Sequence, residues 1–78
     1  MRTRLHRDLA GILIAALNLQ ADQCDESADA FGFAAMAAEG CRRHFHAEQL
    51  YGAARQHRVE AIKLRAFACA AQHHEGRA

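Results

Sequence analysis

Two cysteine–histidine pairs have the spacing to place both members of each pair on one face of a helix. Cys41 and His44 are three residues apart, and Cys69 and His73 are four apart; side chains at these offsets are neighbours on a helix. Thiolate and imidazole are the ligand types of structural zinc sites. Two antiparallel helices could therefore combine the pairs into one metal site, although the chain has no C-x-x-C or H-E-x-x-H signature. The alternative is that the cysteines are small apolar core residues and the histidines are solvated.

A second set of side chains could neutralise phosphate groups. Basic residues recur through the middle and second half of the chain, and they are Arg42, Arg43, Arg55, Arg58, Lys63 and Arg65. Lys and Arg gathered along one helix face are the electrostatic footprint of nucleic-acid binding. Acidic residues are interleaved with them, however, and the formal net charge is only +1. A solvated helix face is the commoner meaning of such a pattern, so nucleic-acid binding is an alternative function here, as metal binding is.

Catalysis has the least support from the sequence. Ser27 is the only serine and lies in no nucleophile-elbow motif, and the acidic residues around it lack the spacing of a calcium loop. A chain of 78 residues rarely encloses a substrate-sized pocket. We therefore expect that the protein is not an enzyme and that it uses no cofactor.

The composition predicts helices. The chain has no proline, alanine is its commonest residue, and Val59 is its only valine. Alanine is the best helix former and proline the strongest helix breaker. The length allows one domain, spanning residues 1–78. Three cysteines, an odd number without framework spacing, favour free thiols and a cytoplasmic location.

Hydrophobic periodicity and polar breaks divide the chain into three expected helices. We expect a first helix over about 3–20, a polar connection over 22–27, a second helix after it, and a last helix over about 48–73. The second helix ends at Gly40 or continues to His46 or beyond, and a break at Gly40 or Gly52 would make four helices. The predicted fold is all-α: a small three-helix or four-helix bundle, or a helical hairpin, completed by dimerisation.

The amino-terminal segment allows more than one interpretation. Residues 9–17 are apolar and follow three arginines, which is the outline of a signal peptide, although Asp8 interrupts the basic region. The run is too short to span a bilayer. Six apolar residues fall on one helix face, and they are Leu5, Leu9, Ile12, Leu13, Ala16 and Leu17. We therefore expect a retained structural helix, with a cleaved signal or a membrane-surface helix as alternatives.

Apolar residues on more than one helix face favour a protein-binding function. The last helix has one face with Leu50, Ala54 and Leu64, and another with Val59 and Ile62. Aromatic residues and methionine contribute most to protein interfaces, and the candidate anchors are Phe31, Phe33, Met36, Phe45, Leu50, Tyr51 and Phe67. For each of them a place in the core is the alternative. We expect a non-catalytic regulator or inhibitor that binds another protein and forms a homodimer, of the kind that phages and plasmids encode.

Overall fold

The protein is an antiparallel helical hairpin. A computed structural model describes the backbone of residues 2–77 and the side chains of residues 8–74. Helix α1 spans Arg2–Gly40 and helix α2 spans His44–Arg77, and the three residues 41–43 join them. No strand occurs within residues 2–77. The all-α class and the hairpin form are confirmed, and the described backbone contains two long helices where three were expected.

The expected connection at residues 22–27 is helical and lies in the middle of α1. Neither proline nor glycine interrupts this segment, so nothing in the backbone opposes the helix. Its acidic side chains do not cap a helix end, because Asp22 and Asp25 both contact Arg65 of α2. Gly52 likewise lies inside α2 without breaking it. The error came from residue types that favour helix caps but also suit an exposed helix face beside an arginine.

The break at Gly40 is confirmed, and the turn that follows is a Schellman motif. The backbone N–H of Arg43 donates to the Ala38 carbonyl over 2.8 Å, and that of Arg42 donates to the Glu39 carbonyl over 2.9 Å. Arg42 has φ of 60°, in the left-handed region. Glycine is the residue usually found at this position, because a Cβ atom is strained there. The left-handed residue of the turn is therefore Arg42, two residues after Gly40.

Residues spaced alternately three and four apart form the contact between the helices. This spacing is the heptad pattern of a coiled coil, in which one seam of each helix faces its partner. In α1 the seam consists of Ala10, Ile14, Leu17, Ala21, Cys24, Ala28, Phe31, Ala35 and Ala38. In α2 it consists of Ala47, Leu50, Ala54, His57, Ala61, Leu64, Ala68 and Ala71. Eight of the nine buried apolar residues among the described side chains are alanines, and the ninth is Leu64.

The buried alanines set which face of α1 is turned inward. Ala21, Ala61 and Leu64 form a core cluster, against which Leu17 and Cys24 pack. Small side chains on both helices let the two backbones approach closely, so α1 turns its alanine-rich seam inward from Ala10 to Ala38. The expected apolar face of the first helix is therefore wrong in most positions, since Leu9, Ile12 and Leu13 are all more than half exposed. The side chain of Leu5 lies outside the described residues.

The molecule is long and thin. Its Cα atoms span 61 × 15 × 11 Å, and their radius of gyration is 17.7 Å. A compact chain of this length would have a radius of gyration of about 11.5 Å. No stretch of helix in the described residues is apolar enough to cross a membrane.

Candidate protein-binding surfaces

The hairpin has its small residues inside and many of its large apolar residues outside. No large side chain is completely buried in the described residues. Phe33 and Phe45 are 72% and 76% exposed, and eight further large apolar side chains are at least half exposed. Burying such side chains is the main stabilising contribution in folding and association. The two helices packed on each other therefore leave much of the chain's apolar surface in contact with water.

One broad side of the hairpin, which we call the charged face, is crossed by ion pairs. It consists of the residues beside the seam at Asp8, Ala15, Asn18, Asp22, Asp25, Asp29, Gly32, Met36 and Glu39 of α1, and at Glu48, Tyr51, Arg55, Arg58, Ile62, Arg65, Cys69 and Gln72 of α2. Arg58 Nη2 lies 3.0 Å from Asp29 Oδ1. Arg65 Nη2 lies 2.6 Å from Asp25 Oδ2 and 2.9 Å from Asp22 Oδ1. These contacts recur one heptad apart and join the helices on this side.

Two side chains of the charged face have shifted pKa values. Hydrogen bonds to Asp25 and to Asp22 raise the pKa of the Arg65 guanidinium, so this group stays charged at every accessible pH. Partial burial, followed by the charge and the hydrogen bond of Glu39, raises the pKa of Tyr51 above its ordinary value. The Tyr51 hydroxyl donates to Glu39 Oε2 over 3.3 Å. Both shifts favour the protonation states that make the cross-helix contacts.

The opposite broad side, which we call the neutral face, carries almost no charge. It consists of Leu9, Leu13, Ala16, Gln20, Gln23, Ser27, Ala30, Ala34 and Ala37 of α1, and of His46, Gln49, Ala53, Gln56, Glu60, Lys63, Phe67, Ala70 and His74 of α2. Helical geometry places these positions on the side of the seam away from the ion pairs. Glu60 and Lys63 are its only residues with a formal charge at pH 7 when His is neutral. The two broad sides therefore differ sharply in charge.

The predicted protein-binding residues fall into two groups. Phe31, Leu50 and Tyr51 are half-buried between the helices and contribute to the hairpin itself. The other four remain exposed, and they are Phe33, Met36, Phe45 and Phe67. Phe67 lies on the neutral face, while Phe33 and Phe45 lie on the outer edges of their helices, away from the seam. The heptad periodicity of the sequence could have predicted this division. Phe31 and Leu50 share the register of the buried alanines, whereas the four exposed residues do not.

The six basic candidates are not presented together. Arg58 and Arg65 are held by aspartates of α1, so their charges are largely neutralised within the chain. Arg42 and Arg43 lie in the turn, and Lys63 lies on the neutral face. Arg55 lies beside Gly52 along a shallow, open depression on α2. The hairpin therefore has no continuous basic stripe among its described side chains.

The four metal-binding candidates lie at opposite ends of the hairpin. His44 begins α2, and Cys69 is twenty-five residues further along the same helix. At 1.5 Å per residue, these two residues are roughly 38 Å apart. Within residues 8–74, no group of three or more Cys, His, Asp or Glu side chains has a geometry that could hold a metal ion. One chain cannot bring Cys41, His44, Cys69 and His73 together.

Comparisons with other proteins leave the function to be argued from these surfaces. No family model, no curated protein and no solved structure matches the chain. The two broad faces, the exposed aromatic residues and the alanine seam are therefore the observations on which any functional conclusion rests.

Proposed function

We propose that this protein is a non-catalytic helical hairpin that binds another protein and so regulates or inhibits it. The observation that carries the proposal is the exposure of its large apolar side chains beside a core made almost wholly of alanine. Exposed apolar surface of this extent is typical of proteins that bury it against a partner. Homodimerisation is the simplest way to cover part of it, and the outer edges then remain for a different protein.

The accessible surface supports this proposal quantitatively. The chain exposes 6244 Å², whereas a compact monomer of 8.6 kDa exposes about 4,700 Å². The difference is larger than the roughly 800 Å² that each partner contributes to a standard interface. A partner could therefore bury a full standard interface, and the hairpin would still expose at least as much surface as a compact monomer of its mass.

The test is a pull-down with matched variants of an outer edge. The immobilised chain would be incubated with an extract of its source cells, treated with nuclease and washed. Phe33 is exposed on the outer edge of α1, and replacing it by serine should abolish retention of a specific protein. Glu48→Gln, an exposed change on the charged face, should retain it. If the parent chain, the serine variant and Glu48→Gln all retain the same protein equally, the outer edge of α1 is not the binding surface.

The same experiment separates protein binding from nucleic-acid binding. Phosphate contacts weaken steeply with added salt, and nuclease removes the ligand. If material is retained only without nuclease, and Arg42 and Arg43 are needed for it, nucleic acid is the ligand and the proposal fails. The ion pairs that hold Arg58 and Arg65 favour the protein partner.

A further inference from the structure

The neutral face is long and flat, and its large and small side chains are distributed unevenly along it. The hairpin is 61 Å long and 15 Å wide but only 11 Å deep, so this face offers an area comparable to one side of a standard interface. Its large residues lie in the half near the open end, where Leu9, Leu13 and Phe67 are each more than half exposed. In the half near the turn, α1 presents only Ala30, Ala34 and Ala37, and α2 presents Ala53 among polar residues.

We propose that the occupant of the neutral face is the same face of a second copy, packed with the two turns at opposite ends. The product is a four-helix bundle in which α1 lies on α1 of the other copy and α2 on α2. The axis of symmetry passes through the middle of the hairpin, perpendicular to its helices. This inference rests on the proposed function, of which it specifies one partner and its orientation.

The distribution of side-chain volume favours opposed turns. Two stiff hairpins touch along their whole length only if their faces stay evenly separated. With the turns opposed, Leu13 of one copy lies over Ala37 of the other and Gln20 lies over Ala30, so larger side chains of α1 meet alanines. With the turns together, Leu13 would meet His74 at one end, while Ala34 would meet Ala53 at the other. The two faces would then diverge, and much of the contact would be lost.

The two charges of the neutral face support the same arrangement. Glu60 and Lys63 lie near the middle of α2, and neither forms an ion pair within the described residues. With opposed turns, the symmetry axis places Glu60 beside Lys63 of the other copy and Lys63 beside its Glu60. With the turns together, both would instead face the uncharged Gln23 and Ser27 of α1. Charges that leave water without an opposite partner oppose association, so pairing across the interface favours opposed turns.

Charge-reversal variants test this pairing. Glu60→Lys gives each copy two lysines at the axis, and Lys63→Glu gives each copy two glutamates. We expect each variant alone to dimerise at least about tenfold more weakly than the parent, and an equimolar mixture of the two to recover parental affinity. Light scattering and analytical ultracentrifugation measure the association, and circular dichroism checks that the helices remain. Weakened variants that do not complement each other would overturn the opposed arrangement.

Cysteine cross-linking provides an independent measurement in a chain with Cys24, Cys41 and Cys69 replaced by alanine. With opposed turns, Gln23→Cys forms a disulfide with Ser27→Cys of the other copy, and Glu60→Cys does the same with Lys63→Cys, while Gln23→Cys and Lys63→Cys do not cross-link to each other. With the turns together, the reverse holds, since α1 then lies on α2. Ala15→Cys on the charged face is the matched control and should form neither product.

Failure of this inference is distinguishable from failure of the proposed function. If the parent chain is monomeric at every concentration, the proposal that a second copy covers the neutral face is wrong, whatever protein the pull-down retains. A dimer in which Gln23→Cys cross-links only to Lys63→Cys overturns the orientation alone. A dimer with the expected cross-links but no retained protein overturns the binding of a different partner and leaves the bundle intact.

Discussion

The imidazole of His57 stacks on the ring of Phe31 across the hairpin, with ring centroids 5.3 Å apart and planes inclined by 15°. Both residues occupy seam positions between buried alanines. The stack is the only aromatic pair among the described side chains, and it lies where the alanine seam would otherwise leave space between the helices. Phe31 and His57 therefore contribute to the hairpin's own stability.

We expect a measurable coupling between these two rings. A double-mutant cycle with Phe31→Ala and His57→Ala should give an interaction free energy of about 0.5–1.5 kcal/mol, as aromatic pairs do. The free energies of unfolding would come from urea denaturation followed by circular dichroism. The control cycle pairs His57→Ala with Phe33→Ala, because Phe33 is 72% exposed on the outer edge. Equal coupling in both cycles would show that the stacked contact is not formed.

The alanine seam predicts that added volume is tolerated only outside it. Ala61 is completely buried in the core cluster, whereas Ala66, five residues later, is exposed. Ala61→Leu should lower the free energy of unfolding by about 1–3 kcal/mol through overpacking. Ala66→Leu should change it by less than about 0.5 kcal/mol. If both variants were equally stable, the helices would not approach as closely as the buried alanines indicate.

Periodicity alone predicted most of α2 and its buried face, because Leu50, Ala54, Ala61 and Leu64 follow one another at intervals of four, seven and three, whereas the second expected face with Val59 and Ile62 is exposed. The same reasoning misplaced the inner face of α1. Large residues near its start, such as Leu9 and Ile12, suggested one face, while the alanines further along required another. Short-range patterns favour the face with the most hydrophobic residues, but the helix must be continuous and present one seam to α2. The contact between Asp22 and Arg65, which identifies residues 22–27 as helix surface, joins residues too far apart in sequence for local patterns to reveal.

The turn offers a stabilising substitution. Arg42 adopts φ of 60°, and Arg43, beside it, does not have positive φ. Arg42→Gly removes the strain of a Cβ atom in the left-handed region and should raise the free energy of unfolding by about 0.5–1 kcal/mol. Arg43→Gly removes the same charge from the same turn without relieving strain, so it should stabilise nothing. Thermal and urea denaturation of the two variants make the comparison, and stabilisation by both would point to charge rather than to backbone conformation.

Tyr51 is a built-in reporter of the charged face, because the chain has one tyrosine and no tryptophan. Partial burial and the neighbouring Glu39 raise its pKa above the ordinary value of 10.0. A raised pKa means that the folded state holds the proton more tightly than the unfolded state. The contribution of this proton to stability is therefore complete below pH 10 and is lost as the pH rises through the pKa of the folded protein.

Tyrosinate absorbance should thus titrate above pH 10 in the folded chain. Glu39→Gln should lower the midpoint of this titration without returning it fully to 10, because the partial burial of Tyr51 remains. Tyr51→Phe should remove this tyrosine's share of the fall in stability at high pH while leaving the helical circular dichroism unchanged. Glu48→Gln, another exposed acid-to-amide change at a charged-face position, is the matched control and should leave the midpoint where it is. A titration that ignores Glu39 would show that the Tyr51 hydroxyl does not donate to it, and that the cross-helix contacts on this face end at Arg58 and Asp29.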